Sequence, residues 1–414
     1  KGASRHLRKQ VDNLSDSFAG NEEKWSSSGQ SAKSSRRALE GLVLRAANLV
    51  FATTNSGDLG RLIDEKAQFD WTIIEEAGKA TGGELISPLL LSHRRLMIGD
   101  HKQLPPFGAE RMLAMLEKPK AVKGALQRGD SLIGRTFRDS TIDDIFLDID
   151  SEESAQGDIA FANLCAQARR MFSLFETIIE NEFERQRSKK SGRAIAKPLT
   201  SQHRMHPSIA KIVSNAFYAE QLVTDPGRAA KFAAAVSPIT SKDLARLPDS
   251  PVVWIDMPWV QNTMHMKKGE EQPRYVNELE LAAVESILGL LTVNAEEKSK
   301  PSLAILSPYS RQVARLNRLT EDGGKCTATL EKFLRASKQK TFCSTVDSFQ
   351  GSEADCVIIS LVRNNHLGSL SAALGFLADA PRMNVLLSRA RWKLVVVGSL
   401  DFLESVMKIP KSPA

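Results

Sequence analysis

The chain has 414 residues, 42% of them hydrophobic and 25% charged, the proportions of a globular protein long enough for two or three domains. That balance excludes wholesale disorder and collagen-like or coiled-coil fibres. The 56 Lys and Arg against 49 Asp and Glu leave a net charge of +7, a mild excess that points toward an anionic partner such as nucleic acid. Cys165, Cys326, Cys343 and Cys356 are too widely spaced for any CxxC pair. This argues against a disulfide scaffold or zinc ribbon and for reduced thiols in an intracellular protein, cytoplasmic or nuclear. No run of roughly 18 apolar residues is present to span a membrane. The N-terminal Lys1-Gly-Ala-Ser-Arg5 has neither an initiator Met nor an apolar signal core, so the chain reads as a piece of a longer protein.

In chain order, residues 1–40 are polar and Ser-rich, a lead-in or the end of an upstream insertion. Compact apolar runs then predict short buried strands at 47–54, 71–74 and 95–98. Residues 109–172 carry helical patches and an acidic tract with Asp143, Asp144, Asp148, Asp150, Glu152 and Glu153. A calcium loop of the EF-hand kind needs Gly at its sixth position and Glu at its twelfth, and both are missing. The tract therefore reads as a solvated acidic loop. The basic stretch Arg185, Arg187, Lys189, Lys190 and Arg193 reads equally as a phosphate-contacting patch or a charged linker. A second set of strands is predicted at 252–255, 303–306, 356–362 and 393–397, with helices over 277–291 and 311–319. Continuous apolar strands alternating with helices mean parallel sheets covered on both faces, and two groups of strands mean two α/β domains.

Five stretches carry chemistry. The run Ile73-Ile-Glu75-Glu76 ends an apolar strand in adjacent carboxylates, at the edge where open α/β sheets bind ligands. One acid can hold a magnesium ion while the next polarises water, although two such acids taken alone are more often plain surface charges. The stretch Arg95-Leu-Met-Ile-Gly-Asp-His-Lys-Gln-Leu-Pro-Pro106 breaks a second strand into a polar loop, where Gln103 can hydrogen-bond a phosphate oxygen or an attacking water. In Ser201-Gln-His-Arg-Met-His-Pro207, Arg204 offers a planar fork for phosphate and His203 a ring for stacking on a base. The two histidines lack an acidic or thiol companion, so a metal site is disfavoured. Further on stand Ser344-Thr-Val-Asp-Ser-Phe-Gln-Gly-Ser-Glu-Ala-Asp355 and Arg382-Met-Asn-Val-Leu-Leu-Ser-Arg-Ala-Arg391. The spacing of Arg382 and Arg389 places them on one face if the segment is helical.

Taken together and in this order, the five stretches resemble the motif series of superfamily 1 helicases, in the 5′→3′ branch that holds the up-frameshift helicase of RNA surveillance and senataxin. The likeness runs from about Ala47 to Ser399. It implies an α/β fold of two RecA-like domains with parallel sheets, the first incomplete at its N-terminus. The first would occupy 41–190 with an insertion at 109–172, and the second 191–414. It further implies ATP bound between the domains with Mg2+, and a single strand of RNA or DNA drawn across their tops. Carried over by position, Glu75 is the magnesium-binding acid, Glu76 the catalytic base, and Gln103 the γ-phosphate sensor. Arg204 and Arg389 are the two arginine fingers. His203, Gly351 and Glu353 would contact the nucleotide, with His203 in a base-stacking position and Glu353 on the ribose. Thr53, Thr54 and the turn Ser307-Pro-Tyr309 would touch the nucleic-acid backbone.

Several positions depart from the pattern. A phosphate-binding loop, GxxxxGK[ST], is missing. The Gly-Lys pairs Gly78-Lys79 and Gly324-Lys325 have Ile73 and Leu319 where its first glycine belongs, and Ala80 and Cys326 where its hydroxyl belongs. In the family that loop lies upstream, so truncation accounts for its absence better than loss. Glu75 stands where Asp is usual, Lys79 where Gln is common, and 109–172 lengthens a normally shorter connection. The expected function is an ATP-dependent helicase or translocase; the alternative is a helicase-derived module that holds nucleic acid without hydrolysing ATP.

Overall fold

The structure is a computed structural model that describes residues 46–64, 69–133, 155–188, 192–260, 273–294, 299–321 and 326–409. The polar lead-in and the acidic tract lie outside the described residues, as do Lys189, Lys190 and the Gly324-Lys325 pair. Two units are distinguished, residues 1–68 and 69–414. In the first, helix α1 (Gly57–Asp64) buries Leu59 and Leu62. The strand expected at 47–54 does not form, and Leu49 and Phe51 are exposed. A parallel strand is stable only when its backbone groups are paired in a ladder, and this apolar run has no pairing partner among the described residues.

The second unit opens on strand β1 (Thr72–Ile74), helix α2 (Gly82–Leu89) and strand β2 (Arg95–Met97). Strands β1 and β2 pair in parallel, with Ile73 opposite Leu96 and Ile74 opposite Met97. The pairing runs on into both loops, through Ile98 N to Ile74 O at 2.8 Å and Ala77 N to Ile98 O at 2.9 Å. Side chains alternate across a strand, so Ile74 faces inward onto Ala77, Leu85 and Phe175. Trp71, Ile73, Leu96 and Ile98 share the other face, and all four are exposed. Behind this pair, helices α3 (Ala109–Leu116), α4 (Pro119–Ile133) and α5 (Ala155–Phe172) gather around Val122, Phe161 and Cys165. Helix α6 (Leu174–Arg187) then returns to the two strands, bringing Phe175. Of the basic stretch, Arg185 is engaged structurally, chelating the buried Glu182 at 2.7 and 2.8 Å.

Short strands β3 (Ser201–Gln202) and β4 (Val223–Thr224) pair in parallel, and β5 (Ile239–Ser241) and β7 (Leu291–Val293) pair antiparallel. The larger sheet holds strands β6 (Val252–Asp256), β8 (Ser302–Ser307), β9 (Leu334–Arg335), β10 (Cys343–Thr345), β11 (Ala354–Ser360) and β12 (Ala390–Gly398). Their order is β10-β8-β11-β12-β6, with β9 beside the start of β8, and every pairing is parallel. This is the α/β architecture expected from the sequence. The central strand β11 is buried at all seven positions, as a strand covered on both faces must be. Leu303, Ile305, Cys356, Ile358, Val395 and Val397 pack to one side beneath helices α9 (Glu278–Leu290) and α10 (Ser310–Thr320). Ala304, Leu306, Val357, Ile359, Leu394 and Val396 pack to the other, with helices α7 (Pro207–Phe217) and α14 (Ala380–Leu387). The predicted helices over 277–291 and 311–319 are α9, with Asn277 as its N-cap, and α10. The intervening short helices are α8 (Pro226–Ala234), α11 (Thr327–Leu330), α12 (Val346–Phe349) and α13 (Leu370–Leu374); α15 (Leu400–Met407) follows the sheet.

Just past β11 the chain bends sharply at Val362, whose φ of 73° is a strained value for a β-branched residue. A carboxylate holds it there. Glu280 on α9, fully buried, accepts from Val362 N at 3.0 and 2.9 Å, from Ser360 Oγ at 2.6 Å and from Asn277 Nδ2 at 3.2 Å. Burial pushes its pKa up to about 7 against the pull of those donors. The protonated form is thus favoured by folding, and stability contributed by Glu280 is present at low pH and lost as pH rises through about 7. Urea unfolding at a series of pH values should show that decline. In Glu280→Leu the decline should vanish while stability drops by about 3 kcal/mol, because Val362 N–H and its companion donors lose their acceptor.

Two glycines set how closely the loops after β1 and β2 approach. A Cβ on Gly99 would stand 2.7 Å from Gly78 N and 3.0 Å from Ala77 N, and one on Gly78 would stand 3.0 Å from Asp100 O. Gly99→Ala should force the loops apart at a cost of about 1–3 kcal/mol. A shift in urea midpoint of that size checks it; an unchanged midpoint would contradict the packing.

Candidate active site

The loops after β1 and β2 face the turns that begin and end helices α7 and α14. The alternation of strand β1 stops at Glu76, whose φ of 54° is left-handed. Neighbouring side chains on a strand point to opposite faces, and this turn frees Glu75 and Glu76 from that rule at the strand end. Glu75 is exposed. Glu76 is also exposed and lies 3.1 Å from Lys79 Nζ, so the residue standing where Gln is common in the family pairs with the proposed base.

Gln103 belongs to the loop after β2. Its Nε2 donates to Asp100 Oδ2 at 2.9 Å, and its Oε1 accepts from Arg389 Nη2 at 3.4 Å. The loop is tied down further by Glu180 of α6, which accepts from Lys102 Nζ at 3.1 Å and meets His101 Nε2 at 2.8 Å. Those two partners hold the Glu180 carboxyl below the usual range despite its partial burial.

Arg204 is presented by a turn after the short strand β3 (Ser201–Gln202). Gln202 builds that turn: its Oε1 accepts from Arg204 N at 2.9 Å and Met205 N at 2.8 Å, while its Nε2 donates to Met205 O and Thr224 Oγ1. The Arg204 guanidinium then donates through Nε to Glu353 Oε2 at 2.6 Å and through Nη1 to Ser388 O at 3.4 Å. Glu353 also receives Arg391 Nη1 at 3.4 Å.

Arg389 is 2% exposed. Its donors go to Val385 O at 2.8 Å, Ser352 O at 3.5 Å, Ser388 Oγ at 2.9 Å and Gln103 Oε1. All are neutral. Burial, with the Arg204 charge close by, lowers its pKa to about 10, and the Glu76 and Glu353 charges oppose that shift only in part. Arg382 and Arg389 do not share a helical face, because α14 ends at Leu387 and Arg389 lies beyond its C-cap. Arg382 instead pairs with Asp379 at the start of that helix and lies over the Phe376 ring.

The structure therefore brings Glu76, Gln103, Arg204, Arg389 and Glu353 into one neighbourhood. Gly351 lies beside them with a φ of 78°, a backbone state that favours glycine. His203 is 64% exposed, its Nδ1 3.8 Å from Asp225 Oδ1, which leaves a ring face open. Ser307 and Tyr309 are placed differently from the expectation of a nucleic-acid-contacting turn. Ser307 is fully buried and Tyr309 2% exposed. The Tyr309 hydroxyl accepts from Arg363 Nε at 2.6 Å, and its ring packs on Tyr275 and Phe376. Their side chains are taken up by packing, so only the main chain and the exposed Ser310 and Arg311 of this turn can meet a strand. Thr53 and Thr54 belong to the first unit, where Thr53 O accepts from Ser56 N at 3.0 Å ahead of α1.

Sequence reasoning missed Tyr218. Its hydroxyl donates to Asp100 Oδ2 at 2.5 Å and accepts from Asn384 Nδ2 at 2.8 Å, and Asn384 Nδ2 also donates to Lys102 O at 2.9 Å. Burial and the Asp100 charge push the Tyr218 pKa up. Nothing at position 218 itself signalled this, since its partners are more than a hundred residues away in both directions.

The donor set suits a phosphate chain. Arg389 is a buried cation with neutral partners, Arg204 is beside it, and a neutral amide lies between Arg389 and Asp100. Glu75 would meet a divalent ion as a hard oxygen ligand. Among the described residues, no group of three or more His, Cys, Asp or Glu is placed to hold a metal ion. All four cysteines are buried and none forms a disulfide. No described helix is long and apolar enough to cross a membrane.

Two family models, each described as an AAA domain, match residues 3–109 and 172–401; the second alone spans more than half of the chain. Regulator of nonsense transcripts 1 of Dictyostelium discoideum is 26% identical over 89% of the chain and 21% of its own length. DNA polymerase alpha-associated DNA helicase A of Saccharomyces cerevisiae is 32% identical over 51% of the chain and 29% of its own length. The mouse protein described as probable helicase senataxin is 24% identical over 81% of the chain and 10% of its own length. The chain thus spans less than a third of each of these relatives. With these matches, the chain belongs to the superfamily 1 helicases, in the group of regulator of nonsense transcripts 1 and senataxin.

Proposed function

We propose that this chain supplies the catalytic carboxylate, phosphate sensor and arginine fingers of an ATP-dependent helicase or translocase acting on single-stranded RNA or DNA. The observation that carries the reading is Arg389, buried among neutral groups beside Arg204, within reach of Gln103 and with its pKa lowered to about 10. Such a site gains from an anion, and a transferring phosphoryl group is the anion that a sensor amide and a paired carboxylate accompany.

In this mechanism a bound Mg2+ would supply positive charge against the phosphates, and Glu75, at the end of β1, would hold it. Glu76 leaves Lys79 to orient water and accept its proton. Gln103 donates its amide N–H to the γ-phosphate, and Arg204 and Arg389 stabilise the charge that develops there. Arg204 must loosen its hold on Glu353, which then becomes available to the ribose. His203 stacks on the base, and Gly351 supplies the left-handed turn that leads to Glu353. Alternating closure and opening around the nucleotide moves a strand held by the main chain at 307–309. The domains would divide as 41–190 and 191–414, and the protein would work inside the cell, in the cytoplasm or nucleus.

A segment preceding this chain would complete the nucleotide site. Support comes from Trp71, Ile73, Leu96 and Ile98, an apolar face on parallel strands that stands exposed. Parallel sheets are ordinarily covered on both sides; none of the described residues buries this face, and it offers a place for the remaining strands and the phosphate-binding loop. Residues 1–414 alone should accordingly turn ATP over slowly if at all.

The decisive test is Glu76→Gln in the full-length protein. ATP and single-stranded oligonucleotide should still bind, while kcat falls by about a hundredfold or more. Turnover persisting at the wild-type rate would sink the assignment of Glu76. A full-length wild type that binds the oligonucleotide with a steep salt dependence, shows no ATPase activity and does not change strand affinity with ATP would favour the non-hydrolysing module instead.

A further inference from the structure

We propose that Tyr218 is a positioning residue for the phosphate-sensing amide of Gln103, acting through Asp100 and anchored by Asn384. The inference rests on the ATPase reading above and extends it to a residue outside the five motif stretches.

The argument is one of hydrogen-bond direction. Asp100 Oδ2 accepts from Tyr218 OH at 2.5 Å and from Gln103 Nε2 at 2.9 Å. With the amide nitrogen held by Asp100, the amide oxygen must point away, and it accepts from Arg389 Nη2. A flipped amide would set nitrogen donors against a guanidinium, two donors with no acceptor between them. The orientation of the sensor is therefore decided by where the Asp100 carboxylate stands. That carboxylate is held from two sides, by Lys102 N on Oδ1 at 3.0 Å and by the Tyr218 hydroxyl on Oδ2.

Tyr218 is in turn fixed. Its hydroxyl is one acceptor of Asn384 Nδ2, and the other is Lys102 O in the sensor loop itself. Asn384 is fully buried. A closed circuit results: loop to tyrosine, tyrosine to asparagine, asparagine back to loop. Its anchors lie on the two elements that carry the fingers. Tyr218 caps the C-terminal end of α7, whose preceding turn holds Arg204, and Asn384 sits in α14, the helix that leads to Arg389. A γ-phosphate that draws the Gln103 amide toward itself must pull against Asp100. Through Tyr218 and Asn384 that pull reaches both arginine-bearing elements together.

Removal of one hydroxyl isolates the effect, because Tyr218→Phe keeps the ring and its packing. In the full-length protein, equilibrium binding of ADP and of a non-hydrolysable ATP analogue is to be compared for wild type, Tyr218→Phe, Asp100→Asn and the double variant. Tyr218→Phe should weaken the analogue by about tenfold while leaving ADP, which lacks the γ-phosphate, within about twofold, and kcat should fall with the analogue's affinity. Asp100→Asn should do the same, and the double variant should be no worse than the weaker single one, as expected for two members of one circuit. A purely structural tyrosine would weaken both nucleotides in parallel, or lower Tm with no change in their ratio, and either result overturns the proposal. So does a double variant whose losses add. A wild type that binds the analogue more tightly than ADP alongside a Tyr218→Phe variant with the same preference overturns this inference and leaves the ATPase reading standing. A wild type with no preference between them removes that reading and this inference together.

Discussion

The loop from Gly99 to Gln103 is the constraint on which the cleft depends. It sits where it does because residues 78 and 99 lack side chains: a Cβ at 99 would stand 2.7 Å from Gly78 N, and one at 78 would stand 3.0 Å from Asp100 O. That close approach keeps the sensor loop against the turn that carries Glu75 and Glu76. The same loop reaches across to the opposite side through three different groups: the Asp100 carboxylate to Tyr218, the Lys102 carbonyl to Asn384, and the Gln103 amide to Arg389. A few residues thus connect the proposed base to the proposed fingers, and a displacement of the loop is felt at both.

The far side of the cleft owes its rigidity to the six-stranded sheet. Strand β11 is covered on both faces, and the turns before β11 and β12 carry Glu353 and Arg389. Asp355, inside β11, accepts from Ser302 N at 2.8 Å and from Arg391 at 2.7 Å. A charged residue in a buried strand is thereby satisfied by the neighbouring strands. At the opposite end of β11, Glu280 performs a comparable service for the strained backbone at Val362. Both ends of the central strand are therefore pinned by carboxylates in the core, so that the side chains beyond them have fixed starting points.

Much of this was legible in the sequence, and the failures have specific causes. Compact apolar runs gave the strands at 71–74, 95–98, 252–255, 303–306, 356–362 and 393–397 to within a few residues. The run at 47–54 has the same composition but forms no strand, because apolar composition describes burial and a strand also needs a partner. The pairing of Arg382 with Arg389 by helical spacing failed because α14 ends between them, a boundary that the short apolar segment did not disclose. Ser307 and Tyr309 were expected to meet nucleic acid, yet they are covered by a cluster including Tyr275 and Phe376, assembled from distant parts of the chain. Tyr218 was invisible for the same reason. Local pattern reports which residues can do chemistry, while long-range contacts decide which of them face one another.

The three arginines of the final motif argue for a ligand by their differences. Arg382 is paired with Asp379 and lies 3.7 Å from Asp347. Arg391 is paired with Asp355 at 2.7 Å and Glu353 at 3.4 Å. Both are the arrangements expected of arginines that serve the fold, with carboxylates that offset the cost of taking a charge out of water. Arg389 lies between them in sequence, is more deeply buried than either side chain, and has only carbonyls, a hydroxyl and an amide around it. The nearby Glu353 carboxylate is engaged by Arg204 and Arg391, and Glu76 is engaged by Lys79. Neutral acceptors satisfy the hydrogen bonds of a guanidinium but do little for its charge, which is why burial lowers its pKa. A fold that needed only packing at this position would gain stability from an apolar side chain or from one more carboxylate. Retaining a buried cation with no carboxylate of its own beside a second arginine becomes favourable when an anion visits the site, which is the role the proposed nucleotide would fill.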